Sequence, residues 1–417
     1  MPRKAILVVL PIAAWPARAN GVSIRYYPLL EHLTRKADVD FLITADPSAR
    51  ASSDELVSAA RSVHVVPQDS TPPTMRKRLA MMARVMSPVG ISFEYSTYSC
   101  ERIAAAIRKR VTESQYDAMH FVGWQNREAL ARSFAPTRGA RITFDCVDSP
   151  YLHYQRSPHP NFLSRGFPPF RAYDLWKTRR WERSLLRNVD ASIYISAVDA
   201  NAAGRNAVSL VIPNGIYAGR ERGDTAQRLE RAPCIGFLGN MSYAPNVVGV
   251  LSLYHDVFVP LQRERPGLRL KIIGRDPVPE VTALASASVE VTGTVSEIWP
   301  HLDDVDAFVF PMTTGAGLQN KIIEVMYAGR PVVTTSICQQ SVGATPGREI
   351  VVADAPGEML DSTRALLTDP SRARALAEAG RQFVARHFDV DDIVRRFESA
   401  IVPDGDGPVD VAASTSR

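Results

Sequence analysis

A glycine-rich turn that leads into a helical pattern carries the clearest chemistry in this sequence. Residues 315–329 read GAGLQNKIIEVMYAG. Gly315 and Gly317 allow the backbone to approach a phosphate closely, and a helix N-terminus offers unpaired N–H groups that favour an anion. Lys321 adds a full positive charge near the start of the helix. The turn therefore predicts a site for a nucleotide diphosphate, although ordinary helix capping with Gly329 as the stop signal explains the same residues.

Three further residues of this segment complete the predicted site. Glu324 lies four positions after Asn320, so the two side chains share one helical face. A carboxylate at that position can accept hydrogen bonds from a ribose diol. Leu318 lies in the same turn, between Gly317 and the start of the helical pattern.

Length, charge and cysteine content set the bounds on the rest of the chain. A chain of 417 residues is too long for one typical core and predicts two domains of roughly 200 residues. The net charge of +5 favours an anionic ligand or an anionic membrane surface, and it is too small to indicate nucleic acid. The cysteines are scattered without metal-ligand spacing, which is typical of reduced thiols in a cytoplasmic protein: Cys100, Cys146, Cys234 and Cys338.

The N-terminal segment has two interpretations. Residues 3–19 begin with the basic pair Arg3-Lys4 and continue with an apolar run and a small-residue pattern, as a secretory signal peptide does. A buried first strand predicts the same residues. We favour the strand, because a turn at Asn20-Gly21 and a helical pattern follow it, and such units recur along the chain.

Apolar, β-rich runs alternate with helical patterns, which predicts parallel sheets covered on both faces. The first series comprises residues 5–10, 39–44, 62–66, 118–122, 141–146 and 192–196. The second comprises residues 209–212, 234–238, 268–273, 289–292, 307–310, 331–334 and 349–352. We therefore predict an α/β fold of two facing doubly wound Rossmann-like domains, with a ligand cleft at the carboxyl ends of the strands.

The domain limits follow from the restart of this pattern. We predict an N-terminal Rossmann-like domain over residues 1–205 and a C-terminal Rossmann-like domain over residues 206–385. A polar stretch at 218–231 reads as a connection between them. Residues 386–402 are predicted to form a closing helix that packs back on the first domain, and residues 403–417 a disordered tail.

An ordered set of motifs in the second half resembles the family 4 retaining glycosyltransferases of the GT-B fold. The set comprises PNG at 213–215, GFLGNM at 236–241, YAPN at 243–246, IGR at 273–275, VTGTV at 291–295 and the segment from Gly315 to Val333. The similarity is closest to polysaccharide-associated sugar transferases. In the first half it rests on strand order and on DCVDS at 145–149.

The resemblance implies transfer of a sugar from a nucleotide-sugar donor, such as a UDP- or GDP-sugar, to a hydroxyl acceptor with retention at the anomeric carbon. The acceptor would be a glycan or a lipid-linked glycan in surface polysaccharide synthesis. The implied donor-binding residues are those of the glycine turns and the opening segment: Gly239, Asn240, Val295, Gly315, Gly317, Leu318, Asn320, Lys321 and Glu324. No cofactor beyond the donor substrate is expected.

Two features depart from the family pattern. The family places a second glutamate eight positions before the position of Glu324, and this chain has Ala316 there. The family also carries a basic pair near the first glycine turn, where this chain has Asn240 and Asn246. Lys321 is then the best remaining cation for the diphosphate, with Arg275 a weaker candidate.

Two first-domain residues are catalytic candidates by the same resemblance. His120, near the end of a predicted strand, would contact the donor sugar or the acceptor hydroxyl, although a lone histidine there is as readily a structural residue. Asp148 would orient or deprotonate the acceptor, and it would equally serve as a cap for the next turn. With Lys321 they form the predicted catalytic set.

No metal site is predicted. The Asp-x-Asp pairs at 38–40 and 304–306 precede strands rather than follow them, so neither lies where a diphosphate metal is needed. In the mechanism that the family implies, an oxygen of the leaving diphosphate takes the acceptor proton. The protein then supplies position and positive potential more than a strong base.

Two basic segments suggest a membrane surface as a partner. Residues 75–86 read MRKRLAMMARVM, basic and apolar at helical spacing, and residues 165–187 interleave aromatic with basic residues. Plain surface helices with a buried apolar face fit both segments equally well. The functional interpretation is peripheral docking on the inner face of the cell membrane by a cytoplasmic protein, and no run is long enough to span a bilayer.

Other functions fit the same fold. A nucleotide-sugar 2-epimerase shares the two-domain architecture and the diphosphate site but uses no acceptor. A non-catalytic protein that binds a nucleotide sugar is a third alternative. The basic-aromatic segment alone could suggest RNA binding, but no recognised nucleic-acid motif accompanies it.

Overall fold

The protein folds into two compact units that each contain a parallel sheet. The first unit comprises Met1–Gly215 and Val390–Arg417, and the second comprises Ile216–Asp389. The structure is a computed structural model that describes residues 3–16, 21–44, 54–67, 74–88, 101–127, 129–130, 139–156, 168–185, 189–204, 209–216, 232–314 and 317–402. The predicted connection at 218–231 and the predicted tail at 403–417 lie outside these residues.

The strands of the first unit form one sheet. They are β1 (Ala5–Leu10), β2 (Asp38–Thr44), β3 (Ser62–Val66), β4 (Ala118–Val122), β5 (Arg141–Val147), β6 (Ala191–Tyr194) and β7 (Ser209–Val211). Within the described residues the order is β3-β2-β1-β4-β5-β6-β7, and all the pairings are parallel. The order reverses between β1 and β4, and such a reversal opens a crevice at the carboxyl ends of the strands.

Alternating side chains of β1 explain why this sheet is covered on both faces. Ile6, Val8 and Leu10 pack into one buried cluster, whereas Leu7 and Val9 pack into another. The helices of this unit before Gly215 are α1 (Gly21–Lys36), α2 (Glu55–Ala59), α3 (Met75–Met86), α4 (Glu101–Glu113), α5 (Pro150–Arg156), α6 (Pro168–Leu185) and α7 (Ala197–Ala203). A short 3₁₀ turn at Trp124–Asn126 follows β4.

The second unit repeats the design with a sheet of its own. Its strands are β8 (Cys234–Leu238), β9 (Arg269–Ile273), β10 (Val289–Val291), β11 (Ala307–Phe310), β12 (Val332–Thr334) and β13 (Val351–Val352). Their order in the described chain is β10-β9-β8-β11-β12-β13. The reversal falls between β8 and β11, so the loops after these two strands flank the crevice.

Helices follow the strands of the second unit in turn. They are α8 (Ala244–Ser252), which runs on through a π-helical stretch at Leu253–Phe258 into α9 (Val259–Glu264), then α10 (Pro279–Thr282), α11 (Trp299–Asp303), α12 (Asn320–Tyr327), α13 (Ser336–Val342), α14 (Pro356–Thr368) and α15 (Pro370–His387). The prediction of two doubly wound, parallel-sheet domains is confirmed.

The last helix returns to the first unit. In α16 (Val390–Ile401), Ile393, Phe397 and Ile401 are buried in the same cluster as Ile6 and Val8. Glu398 accepts hydrogen bonds from His32 at 2.7 Å and from Lys36 at 2.9 Å, both on α1. Of the predicted closing helix at 386–402, residues 390–401 form α16, which packs in the first unit, whereas residues 386 and 387 are the end of α15.

One predicted strand belongs to the other sheet. The run at 209–212 was assigned to the second series, but β7 pairs with β6 of the first sheet. The first unit consequently continues to Gly215 rather than ending at residue 205. There the chain meets its returning end, since a Cβ added to Gly215 would lie 2.7 Å from the Cα of Val390.

Candidate functional site

Two glycines lock together the loops that follow β8 and β9. A Cβ added to Gly274 would lie 1.6 Å from the carbonyl oxygen of Gly239, a separation that no side chain tolerates. The Gly239 N–H donates to the carbonyl of Ile273 at 3.0 Å, and the Met241 N–H donates to that of Arg275 at 2.9 Å. Glycine is required here because the two backbones touch.

The two asparagines that replace the family's basic pair brace this loop. Asn240 Oδ1 accepts hydrogen bonds from the N–H and the hydroxyl of Ser242, at 2.9 and 2.8 Å. Asn246, in the first turn of α8 and almost fully buried, donates from Nδ2 to the carbonyl of Asn240 at 2.8 Å. The amide oxygen of Asn246 then points away from the loop and is available to a cation.

Lys321 supplies that cation from the first turn of α12. Its Nζ donates to Asn246 Oδ1 and contacts Met312 Sδ at 3.5 Å. The ammonium lies 5.1 Å from the ring centre of Phe237 and 5.7 Å from that of Phe310, within the range of cation–π attraction. The structure thus brings together Lys321 of α12 and Asn246 of α8, which lie far apart in the sequence.

The surroundings of Lys321 change its acid–base behaviour. Burial lowers the pKa of the ammonium to about 8, and the nearby Cys338 opposes that shift. No carboxylate of the described residues lies within ion-pair distance of Nζ. An incoming diphosphate would therefore supply the missing counter-charge and favour the protonated amine.

The start of α12 lies beside this lysine. Gln319 precedes the helix and makes no side-chain capping hydrogen bond, so its first turn depends on backbone bonds such as Ile322 N–H to Gln319 O at 2.9 Å. Gly317 has a φ of 73°, a conformation that glycine adopts freely. Leu318 is nearly buried, and Asn320 and Glu324 are half-buried on the helix. Gly315 and Ala316 lie outside the described residues.

Val295 lies farther along the sheet edge. It is half-buried in the loop after β10, and β9 and β8 separate that loop from β11. The Thr292 hydroxyl accepts from the Gly274 N–H at 3.3 Å and donates to the Gly293 carbonyl at 2.9 Å. This links the β10 loop to the β9 loop, so Val295 belongs to the same edge as Lys321 without contacting it.

His120 occupies the core of the first unit. Its imidazole is fully buried, its Nδ1 is 2.8 Å from the Thr143 hydroxyl, and its ring lies 6.2 Å from that of Tyr26. Burial, together with the charge of Arg25, lowers the pKa to about 3, which keeps the ring neutral. Its Nε2 makes no hydrogen bond to a described residue, and a catalytic role for this buried imidazole stays a prediction that the proposed function below does not use.

A buried ion pair between Arg25 and Asp145 fixes the backbone conformation just before Asp148. Both Nε and Nη2 of Arg25 contact Asp145 Oδ2, at 2.9 and 2.8 Å. The other oxygen of Asp145 accepts from the Val147 N–H at 2.8 Å, and Val147 has a φ of 64°. That conformation is costly for a β-branched residue, so the hydrogen bond to Asp145 maintains a strained turn just before Asp148.

Asp148 follows β5 at the carboxyl edge of the first sheet. Its carbonyl accepts from Trp124 Nε1 at 2.8 Å, which connects it to the turn after β4. Burial raises the pKa of its half-buried carboxyl to about 6; Asp199 adds to the shift and His153 opposes it. The group is therefore poised to exchange a proton near neutral pH.

Two carboxylates that the sequence analysis missed surround Ser149. Glu182 accepts from the Ser149 hydroxyl at 3.0 Å, and burial raises its pKa to about 8. Asp199 accepts from the Ser149 N–H at 3.0 Å, and burial raises its pKa as well. The spacing of Ser196 and Asp199 at the start of α7 is a capping signal that could have indicated Asp199, whereas Glu182 lies in a charged helix without one.

The described residues offer neither a metal cluster nor a membrane-spanning helix. Their His, Cys, Asp and Glu side chains form no group of three or more that could hold a metal ion. Among these residues, no helix combines the length and the apolar character needed to cross a bilayer.

Comparison with known proteins places this architecture among the glycosyltransferases. The fold is GT-B, and residues 232–369 match the family model "Glycosyl transferases group 1". The chain thus carries a group 1 glycosyltransferase domain in its second unit, which confirms the predicted resemblance. Lys321, Asn246 and the loops after β8, β9 and β10 all lie inside the matched region.

Solved structures share the fold over nearly the whole chain. Sucrose-phosphate synthase from Thermosynechococcus elongatus superposes with a TM-score of 0.67 at 16% identity, over 95% of this chain and 97% of that one. Anabaena HepE in complex with UDP gives 0.64 at 15% identity, over 94% and 98%. WaaG, a glycosyltransferase involved in lipopolysaccharide biosynthesis, gives 0.62 at 14% identity, over 95% and 100%. No curated protein sequence matches the chain.

Proposed function

We propose that this protein is a retaining, metal-independent glycosyltransferase that uses a UDP- or GDP-sugar donor. The observation that carries the proposal is the Lys321 ammonium, held without a carboxylate partner in the described chain at the strand-order reversal of the second sheet. It lies beside touching glycine loops and the start of α12, inside the matched glycosyltransferase domain. HepE structures with UDP, and with UDP-glucose, support a nucleotide-sugar ligand for this fold.

In the proposed reaction the protein positions the substrates and supplies charge. Lys321 neutralises the diphosphate as it leaves the sugar, and backbone N–H groups near Gly317 and Leu318 add further positive potential. Asn320 and Glu324 form hydrogen bonds with the ribose or sugar hydroxyls. Gly239, Asn240 and Val295 line the rest of the donor-binding site. The acceptor hydroxyl approaches the face from which the diphosphate departs, and a diphosphate oxygen takes its proton. Asp148 orients that hydroxyl.

The acceptor proposed is a glycan or lipid-linked glycan of surface polysaccharide synthesis, reached from an anionic membrane surface. The described face of α3 supports such docking, because four apolar side chains at helical spacing are each at least 60% exposed: Met75, Leu79, Met82 and Met86. The sequence of α3 contains Arg76, Lys77, Arg78 and Arg84 and no acidic residue. An apolar stripe on a cationic helix is typical of a helix that lies in a membrane interface.

A ligand screen followed by turnover tests the enzymatic proposal. A ligand that binds only the folded state raises its melting temperature, so UDP, GDP, ADP and their sugars are compared by thermal shift. The best donor is then incubated with and without glycan acceptors, and the anomeric configuration of the product is determined by NMR. We expect a retained glycoside and free nucleotide. Epimerised donor would indicate the 2-epimerase, and unchanged donor a binding protein.

Sedimentation with vesicles tests the membrane surface. The intact protein should pellet with vesicles rich in phosphatidylglycerol and stay in solution with pure phosphatidylcholine. The double variant Leu79→Glu/Met82→Glu should lose this binding. Val248→Glu, which alters a side chain 53% exposed on α8, is the matched control. Equal pelleting of the double variant and the control would contradict docking through α3.

A further inference from the structure

One face of α6 carries three arginines beside an exposed tryptophan. Arg179, Arg180 and Arg183, here called the arginine stripe, line a cavity of about 350 Å³ together with Trp176 and Ser184. The side chain of Trp176 is 50% exposed. The spacing of these residues places them along one side of the helix, so their guanidinium groups converge on the same space.

The charges of the arginine stripe are not balanced within the described chain. None of the three guanidinium groups lies within 4.0 Å of a carboxylate there. Arg179 instead lies over the ring of Tyr151 at 5.0 Å, and Arg183 Nε donates to the Ala203 carbonyl at 3.2 Å. Arg179 Nε is enclosed and makes no hydrogen bond to a described residue. Like charges four positions apart destabilise a helix, so this arrangement favours an anion that is bound from outside.

The surroundings of the arginine stripe indicate what kind of anion it binds. On one side, Tyr151 donates its N–H to Glu182 at 3.3 Å and follows Asp148 by three residues, so the stripe borders the acceptor-side carboxylates. On the other side, Tyr173 of α6 donates to the Met86 carbonyl at 2.7 Å, which brings the end of α3 and its exposed apolar face next to the same helix. The cavity therefore adjoins both a polar reaction edge and an apolar surface.

We propose that the arginine stripe binds the phosphate or diphosphate group of a lipid-linked acceptor. Guanidinium groups match phosphate oxygens in charge and in paired hydrogen-bond geometry, and they do so better than an ammonium. The indole of Trp176 suits the boundary between the charged head and the lipid chain. This inference rests on the proposed glycosyltransferase function, for which it names the acceptor class, and it assigns to α6 a site separate from the donor edge of the second unit.

Titration of the intact protein with farnesyl diphosphate, inorganic diphosphate and phosphatidylglycerol vesicles tests the site. The triple variant Arg179→Gln/Arg180→Gln/Arg183→Gln is compared with Arg372→Gln/Arg374→Gln/Arg386→Gln, which removes equal charge from exposed positions of α15. Loss of charge-assisted hydrogen bonds worth about tenfold each predicts at least ~30-fold weaker binding of farnesyl diphosphate by the first variant. The control should bind as the wild type does, and both variants should keep the wild-type melting temperature.

The other outcomes overturn the assignment in distinct ways. Equal weakening in both triple variants would mean that only net charge matters. Inorganic diphosphate binding as tightly as farnesyl diphosphate, with the same loss in the first variant, would assign the stripe to a free anion. Loss of vesicle binding alone would assign it to bilayer head groups. A wild-type protein that binds farnesyl diphosphate but turns over no nucleotide sugar would contradict the proposed function and leave the site intact.

Discussion

The two sheets present opposite charges at their carboxyl edges. In the second unit, one ammonium, that of Lys321, is held by Asn246 among aromatic rings. In the first unit, the carboxyl groups of Asp148, Glu182 and Asp199 gather around Ser149. Burial is the main cause of the pKa shift at each edge, but it lowers the pKa of the base and raises those of the acids.

This contrast shows that burial can shift the pKa of an amine and of a carboxyl group in opposite directions, each towards the neutral form. Burial disfavours charge, so a group held without a counter-ion moves towards neutrality whichever sign it carries. Lys321 is thereby ready to gain a counter-ion when a polyanion binds. Asp148 ionises near neutral pH, and its carboxylate can then accept a hydrogen bond from the acceptor hydroxyl and orient it.

Removal of the ammonium should have the largest effect. Lys321→Ala should lower kcat/KM for the donor about 10²–10³-fold, because it removes the charge that stabilises the leaving diphosphate. Steady-state kinetics with the donor found by thermal shift measures this. Lys109→Ala, an exposed lysine paired with Glu113 on α4, is the control. Near-normal turnover by Lys321→Ala would show that Lys321 does not stabilise the leaving diphosphate.

Substitutions of Asn246 should change donor binding and the pH–rate profile, with a smaller effect than the loss of Lys321. Asn246→Ala removes the hydrogen bond to the ammonium, so donor KM should rise about tenfold and the alkaline limb of the pH–rate profile should move to lower pH. Asn246→Asp places a carboxylate there, which raises the pKa of Lys321 and moves that limb to higher pH. Gln382→Ala, an exposed amide on α15, should do neither. Shifts in the same direction for both variants would reduce Asn246 to a packing role.

The pH dependence should report both edges at once. With the pKa of Asp148 near 6 and that of Lys321 near 8, kcat/KM should rise as pH passes through about 6 and fall above about 8. Asp148→Asn should flatten the acid limb, at a cost of about 10- to 100-fold in rate, and leave the alkaline limb in place. An unchanged acid limb would exclude Asp148, and Asp361→Asn on α14 controls for the loss of an exposed carboxylate.

The smallest effect concerns stability rather than rate. The folded-state pKa of Glu182 is raised to about 8 from an ordinary value of 4.5, so the folded protein binds this proton more tightly than the unfolded chain does. That stabilisation is complete below pH 4.5 and is lost as pH rises through 8. The melting temperature of the wild type should therefore fall relative to that of Glu182→Gln between pH 6 and 9, by a few degrees. Parallel melting curves for the two proteins would refute the shift.

The sequence predicted the sheets well because buried parallel strands are continuous apolar runs. The runs at 5–10, 62–66 and 118–122 coincide with β1, β3 and β4. The assignment of 209–212 failed because a strand's partner is decided by packing and not by its own residues. The turn at Gly317 and the lysine after it carried a local signal, which is why the sequence alone indicates Lys321 as a candidate.

Contacts between distant segments could not be predicted. Lys321 and Asn246 lie 75 positions apart, and neither residue type demands the other. The sequence did not indicate that His120 is buried. Apolar residues flank it on both sides, and the same pattern would be found for a histidine at the exposed end of a strand. Glu182 lies among arginines and tryptophans on a helix that resembles a solvated surface, and only the fold places it against Ser149.

The contact between Gly215 and Val390 has a consequence for biosynthesis and for dissection of the chain. The second unit is continuous in sequence, whereas the first lacks α16 until the ribosome has synthesised the chain beyond residue 401. The second unit can therefore complete its core on the nascent chain before the first can. Because the chain leaves and re-enters the first unit at adjacent points, excision of residues 216–389 and a short bridge from 215 to 390 should yield a first unit that folds independently.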